Sequence, residues 1–205
     1  MNSPIINDVE FDRHGNTLRL CIGDHLNRWF KWYDAEGGSA ELWENIRKDA
    51  PSHLEEFTIV DHEYFTVNPL TLGITKAADF AEFVAGFHSP SALLHYVSII
   101  GPDVVGRMAW EYEEEVSYFV DEERFRSVTR YDFDELEDKF NEAYRGSFAS
   151  APVFARHWYE ELGHLNGDGA KKLAPYVDWE AVARDLSQDI NFVESDGGVY
   201  AFWNH

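Results

Sequence analysis

The chain has 205 residues, with 38 Asp and Glu against 17 Lys and Arg and a formal net charge of −21, yet 44% of it is hydrophobic and 16% aromatic. That combination excludes a disordered acidic tail, which is poor in aromatics because it cannot bury enough apolar area to offset chain entropy. It also excludes partners that must be neutralised by Lys and Arg, namely nucleic acid and anionic lipid. A folded protein with a self-repelling anionic surface remains, and its natural partner is a basic protein surface.

Cys21 is the only cysteine, so neither an intramolecular disulfide nor a Cys-rich metal site can be built, which fits a reducing cytoplasm. Met1 to Glu10 lacks a basic region followed by an apolar run, and no stretch approaches the roughly 18 apolar residues of a membrane span. The expectation is a soluble, cytoplasmic protein without a membrane partner.

Alternation predicts a hairpin of Ile5 to Phe11 and Thr17 to Ile22 across Arg13-His14-Gly15-Asn16, with Leu18, Leu20 and Ile22 on one face. A third strand follows over Arg28 to Tyr33. Ser39 then reads as the cap of a helix with Leu42, Trp43 and Ile46 on one side, ended by Pro51, and Phe57 to Val60 returns as a strand. From Thr75 the period becomes 3.6: Phe80, Ala81, Val84 and Phe87 mark one helix, and Leu93, Leu94, Val97 and Ile100 a second, opened by Ser89-Pro90. Gly101-Pro102 breaks this pattern. Asp103 to Arg130 reads either as a helix through Val104, Met108 and Tyr112 or as a strand near Val116 to Val120.

Asp132 and Glu135 form a capping box for a helix with Phe133, Leu136 and Phe140 inside, which Gly146 is expected to stop. Ser150 caps Ala151 to Leu162, ended by Gly163; His164 to Pro175 reads as a loop. Asp178 caps a helix packing through Trp179, Val182, Ala183 and Leu186. Ile190 to Glu194 and Val199 to Trp203 close the chain as a hairpin across Ser195-Asp196-Gly197-Gly198.

Net charge is −7 over residues 1–75, −1 over 76–110, −9 over 111–142 and −4 over 143–205. The dense belt holds Glu111, Glu114, Glu115, Asp121, Glu122, Asp134, Glu135, Asp138 and Glu142, while Asp61 and Glu63 are acidic positions of the earlier strand region. Asp134, Asp138 and Glu142 recur at i, i+4 and i+8 and so share one helix stripe, with Lys139 alone interleaved. Like charges at this spacing cost a helix a few tenths of a kcal/mol per pair. Four helical residues rise roughly 6 Å, close to the roughly 6.8 Å advance of two nucleotides on one DNA strand. An acidic helix can therefore approximate a row of phosphates; the plain alternative is a solvated polar face.

Asp61-His62-Glu63, Asp24-His25 and the i, i+4 pair His157 and Glu161 are the best local metal clusters, but none has the spacing of a complete ligand set. A metal-dependent hydrolase using Asp61, His62 and His157 is the enzyme alternative, and a salt-adapted acidic binding protein is a third. No Gly-rich phosphate loop, HExxH or G-x-S-x-G elbow occurs, so the chain is expected not to be an enzyme and to need no cofactor.

Phe140, Ala143, Tyr144, Gly146-Ser147-Phe148, Ser150, Phe154-Ala155, Tyr176-Val177-Asp178, Ala181, Ala183-Arg184-Asp185-Leu186 and Val199 to Trp203 together resemble the ArdA antirestriction family. In the first third, Glu55-Glu56-Phe57-Thr58-Ile59-Val60-Asp61-His62-Glu63-Tyr64-Phe65 resembles the family's Glu-Glu-Trp-x-Ile-x-Asp-x-Glu-x-Phe segment, and Trp32-Tyr33-Asp34 its Trp-Ile-Asp. The family's glycines ahead of that step are not at the expected places, and the chain carries a surplus between Gly101 and Asp132. The resemblance implies an elongated α+β chain of three small domains: an N-terminal α+β domain over 1–74, a central mainly helical one over 75–131 containing the insertion, and a C-terminal α+β domain over 132–205 that forms a homodimer. It implies an acidic DNA mimic from mobile elements that fills the DNA-binding groove of type I restriction-modification enzymes, with the carboxylates named above standing for phosphates.

Overall fold

A computed structural model describes residues 17–24, 29–54, 56–66, 68–101, 133–195 and 197–204. Among the described residues the fold is mixed α+β with two three-stranded antiparallel sheets. The chain divides into two compact units, with the division falling between Glu137 and Asp138.

The first unit is built on β1 (Arg19–Gly23), β2 (Phe30–Asp34) and β3 (Thr58–Glu63), in the order β2-β1-β3. Leu20 and Ile22 point to one side of β1 and are wholly buried, as the alternation predicts. β1 pairs on one edge with β2, through pairs such as Cys21↔Trp32, and on the other with β3, through Leu20↔His62. The predicted hairpin partner of β1 is the stretch 5–11. That stretch, with the turn after it, lies outside the described residues.

α1 (Gly38–Asp49) buries Leu42 and Ile46 and ends at Ala50, ahead of Pro51. Its N-cap is Gly37 rather than Ser39, and no side chain caps it locally. Ser39 is instead inside the first turn, where its backbone N–H donates to Asp79 Oδ1 at 2.9 Å. The carboxylate that satisfies this orphan donor thus comes from α2 (Ile74–Gly86), 40 residues later. α2 buries Phe80, Ala81 and Val84, and Phe87 follows as its C-cap. α3 (Pro90–Ile100) begins with proline in its first turn and buries Leu93 and Val97, as the periodicity predicts. Residues 102–132 lie outside the described residues, and with them the ambiguous segment and the predicted Asp132 cap.

α4 (Asp134–Ala143) carries the unit boundary within it and buries Leu136, Phe140 and Ala143. Gly146 does not stop this helix. The chain passes from Ala143 directly into β4 (Tyr144–Phe148), and Gly146, with φ +116°, sits within that strand at a bulge. A glycine with positive φ is common to helix C-caps and strand bulges, so the local signal could not separate them. α5 (Ala151–Glu161) follows Ser150, whose side chain makes no cap bond. The predicted loop holds a short helix, α6 (Asp168–Leu173), and a 3₁₀ turn at Ala174–Tyr176. α7 (Trp179–Leu186) is capped as predicted, with Asp178 Oδ1 accepting from the Ala181 N–H at 3.0 Å.

β5 (Ile190–Ser195) and β6 (Gly198–Trp203) form the closing hairpin, tighter than predicted because Ser195 pairs with Gly198. The sheet order is β4-β6-β5, so the last strand of the chain is central. Phe148, Phe154, Ile190, Val199 and Ala201 form its core, with Trp158, Phe192 and Trp203 packed around them.

Candidate protein-binding surface

α4 is amphipathic at its own period. Asp134, Glu135, Asp138 and Glu142 are all exposed, and at 100° per residue they lie within roughly 100° of the helix circumference. Leu136, Phe140 and Ala143, at most 1% exposed, occupy the opposite side. The Phe140 ring stacks on Tyr144 at 4.8 Å and meets Phe202 edge-on at 6.1 Å, so β4 and β6 anchor the back of the helix. Ahead of the helix, Phe133 stacks on Phe83 of α2 at 4.4 Å. The three carboxylates of the first turn, Asp134, Glu135 and Glu137, sit where the helix dipole favours anions. Glu142, in the last turn, has no such support from the dipole.

The other predicted carboxylates lie elsewhere. Asp61 is exposed on β3, opposite Cys21, and its Oδ1 accepts from the His62 N–H at 2.8 Å. Burial chiefly, and Asp61 after it, push the Cys21 thiol pKa up, which keeps it protonated and unreactive. Glu63 pairs with Arg19 at 3.0 Å, and that guanidinium also lies 5.4 Å above Trp32, so the Glu63 charge is matched locally. Glu111, Glu114, Glu115, Asp121 and Glu122 lie outside the described residues.

The hydrolase residues divide between the two units: Asp61 and His62 stand on β3, and His157 on α5. His157 Nε2 is 3.3 Å from Glu161 Oε1, and its ring lies 5.5 Å from Phe148. Among the described residues no group of three or more His, Cys, Asp or Glu stands close enough to hold a metal ion.

Other charges serve packing. Lys31 Nζ reaches Asp49 Oδ2 at 2.7 Å and lowers that carboxyl's pKa, while burial first and Asp49 second push Tyr33 up to about 12. No bond of ordinary geometry reaches the Tyr33 hydroxyl. An open recess of about 240 Å³, of mixed polar and apolar lining, lies among Trp43, Phe57, Thr58, Ile59, Ile74 and Thr75, and the Trp43 indole N–H donates to Thr75 across its wall. None of the described helices is long and apolar enough to cross a membrane.

The sequence reading missed one side chain bonded to the backbone of the helix that carries the stripe. Arg145 donates to the Glu142 carbonyl at the end of α4, and only its position two residues after a helix pointed to such a bond.

Taken together these elements define a small acidic α+β protein whose most distinctive chemistry is an exposed anionic helix face backed by an aromatic core. The family model for Antirestriction protein (ArdA) matches residues 29–201, from just before β2 into β6, and the chain belongs to that family. Its function is accordingly antirestriction. A comparison with curated proteins found no match.

Proposed function

We propose that the protein is a stoichiometric, non-catalytic decoy for DNA that occupies the basic DNA-binding groove of a type I restriction-modification enzyme. The observation that carries this reading is the α4 stripe: Asp134, Asp138 and Glu142 are exposed along one side of a helix whose other side is buried. A helix selected for stability alone would interleave more cations there, and the antirestriction family match supports a restriction enzyme as the target. Glu111, Glu114, Glu115, Asp121 and Glu122 extend the anionic surface in this reading, and Asp61 contributes to it from the first unit. Glu63 contributes least, because Arg19 neutralises it.

The wider architecture proposed is three domains, over 1–74, 75–131 and 132–205, with the last forming a homodimer in the cytoplasm. Two copies carry −42, counted from the −21 of each chain, which matches the phosphates of about 21 base pairs of duplex. The charge is therefore sufficient for the role. No bound cofactor or nucleic acid enters this reading.

The test is displacement of a DNA duplex from a purified type I enzyme, repeated across a salt series. Saturating, one-to-one or two-to-one displacement that weakens steeply with salt is expected. Turnover of the target or of DNA by the protein, or displacement indifferent to salt, would sink the reading.

A further inference from the structure

We propose that Arg145, a cation, is a positioning residue for the anionic face of α4. The inference rests on the decoy reading and deepens it by naming what holds its stripe in shape. The last carbonyls of an α-helix have no partner within the helix and are ordinarily satisfied by a glycine turn at the C′ position. α4 has no such turn, since Tyr144 already belongs to β4.

The guanidinium of Arg145 spans that junction. Its Nη2 donates to the Glu142 carbonyl at 2.8 Å, on the helix side, and its Nη1 to the Tyr144 carbonyl at 3.2 Å, on the strand side. Its Cζ lies 5.5 Å from the centre of the Trp203 ring on β6, so the fork also leans on the central strand. A planar fork of donors can hold two carbonyls in one fixed relation, which a lysine ammonium cannot.

The side chain is aimed there by an irregularity of the backbone. Tyr144 pairs with Phe202 and Gly146 with Ala201, so Arg145 is the extra residue of a β-bulge, released from the alternation of β4. Gly146, at φ +116°, adopts a conformation that a residue with a Cβ would resist. The bulge, the glycine and the arginine thus act as one device. It also puts a positive charge at the negative end of the helix dipole, under the residue that supplies the last carboxylate of the stripe. Burial lowers the Arg145 pKa somewhat, but a guanidinium stays charged in any such setting.

The role makes a prediction opposite to charge counting. Arg145→Gln makes the protein one unit more negative, and Coulomb attraction to a basic groove alone would tighten binding. Fraying the end of α4 and displacing Glu142 should instead weaken it, by roughly 3- to 10-fold, and lower its salt dependence. Lys139→Gln is the control, since it removes one cation from the exposed side of the same helix without touching the junction.

The experiment measures displacement of a DNA duplex from a purified type I enzyme by wild type, Arg145→Gln, Arg145→Lys and Lys139→Gln, over a salt series. Hydrogen exchange of the free proteins is followed alongside. The expected result is weaker binding for both Arg145 variants, faster exchange confined to the α4–β4 junction, and binding by Lys139→Gln at least as tight as wild type. Should Arg145→Gln fail to fold, Arg145→Lys decides, because it keeps the charge and removes only the fork. Equal or tighter binding by a folded Arg145 variant overturns the role, and so does equal weakening by Lys139→Gln. A wild-type protein that displaces no DNA overturns the decoy reading itself, which is a different outcome.

Discussion

Asp79 shows how a single side chain can tie one helix to another and titrate in doing so. Its Oδ1 accepts from the Ser39 N–H in the first turn of α1, while Oδ2 is buried without a partner. Burial raises its pKa above the 3.8 of an ordinary Asp, and the bonds from Ser39 oppose that rise without cancelling it. A carboxyl whose pKa is raised by folding adds stability that is complete below its unfolded pKa and lost as pH rises through the folded one. Asp79→Asn keeps an acceptor and removes the buried charge. It should match or exceed wild-type stability at neutral pH, with the difference shrinking as pH falls toward and below 3.8. Asp79→Ala leaves the Ser39 N–H without its acceptor and should cost about 0.5–2 kcal/mol. Denaturant melts of both variants from pH 3 upward, on the order of one per pH unit, check this; a wild type whose stability relative to Asp79→Asn rises with pH would contradict the burial argument.

At the scale of the element, α4 is a helix in which surface and core ask for different things. Its apolar side is fixed by Leu136, Phe140 and Ala143, and its other side accumulates like charge that the helix dipole favours only in the first turn. Replacing Asp134 and Asp138 by Asn and Glu142 by Gln relieves like-charge pairs but removes the dipole support at Asp134, so stability should change by no more than about 1 kcal/mol. The same change should weaken displacement of DNA from the target in steps as the substitutions accumulate, and flatten its salt dependence. Thermal melts and the competition assay together check this; abolition of activity by one substitution, with the rest dispensable, would point to a specific contact in place of a distributed charge surface.

For the whole molecule, the question is whether a second copy completes the surface. Leu173 and Tyr176 are 64% and 86% exposed near the end of α6, and Leu162, after α5, is 52% exposed. Exposed apolar side chains of this size are where a contact in the C-terminal part of the chain is best sought. Leu173→Asp with Tyr176→Asp should turn a dimer into a monomer in sedimentation equilibrium and make the melt independent of protein concentration, with the fold kept because neither side chain is in the core. The monomer should still bind its target, with a shallower salt dependence because each particle carries half the charge. A dimer that survives these changes places the contact elsewhere.

Much of this protein is set by residues that are neighbours in the chain. Charge and aromatic content establish a folded anionic chain, the 3.6 period places α2, α3 and α4, and Asp178 caps α7 three residues from its partner. The motifs of the C-terminal third also lead to the family that the match over 29–201 shows. In each case the deciding contact spans one helical turn or one strand pair, which a local pattern records. The tertiary structure decided what depends on distant partners: that β1 is central, between β2 and β3, and that α1 is capped from 40 residues away. It likewise decided that Tyr144–Phe148 is a strand, because β6 arrives beside it at the end of the chain, and that the bulge there turns Arg145 onto the helix carrying the stripe. Local spacing says which carboxylates share a face; only long-range pairing says what holds that face in place.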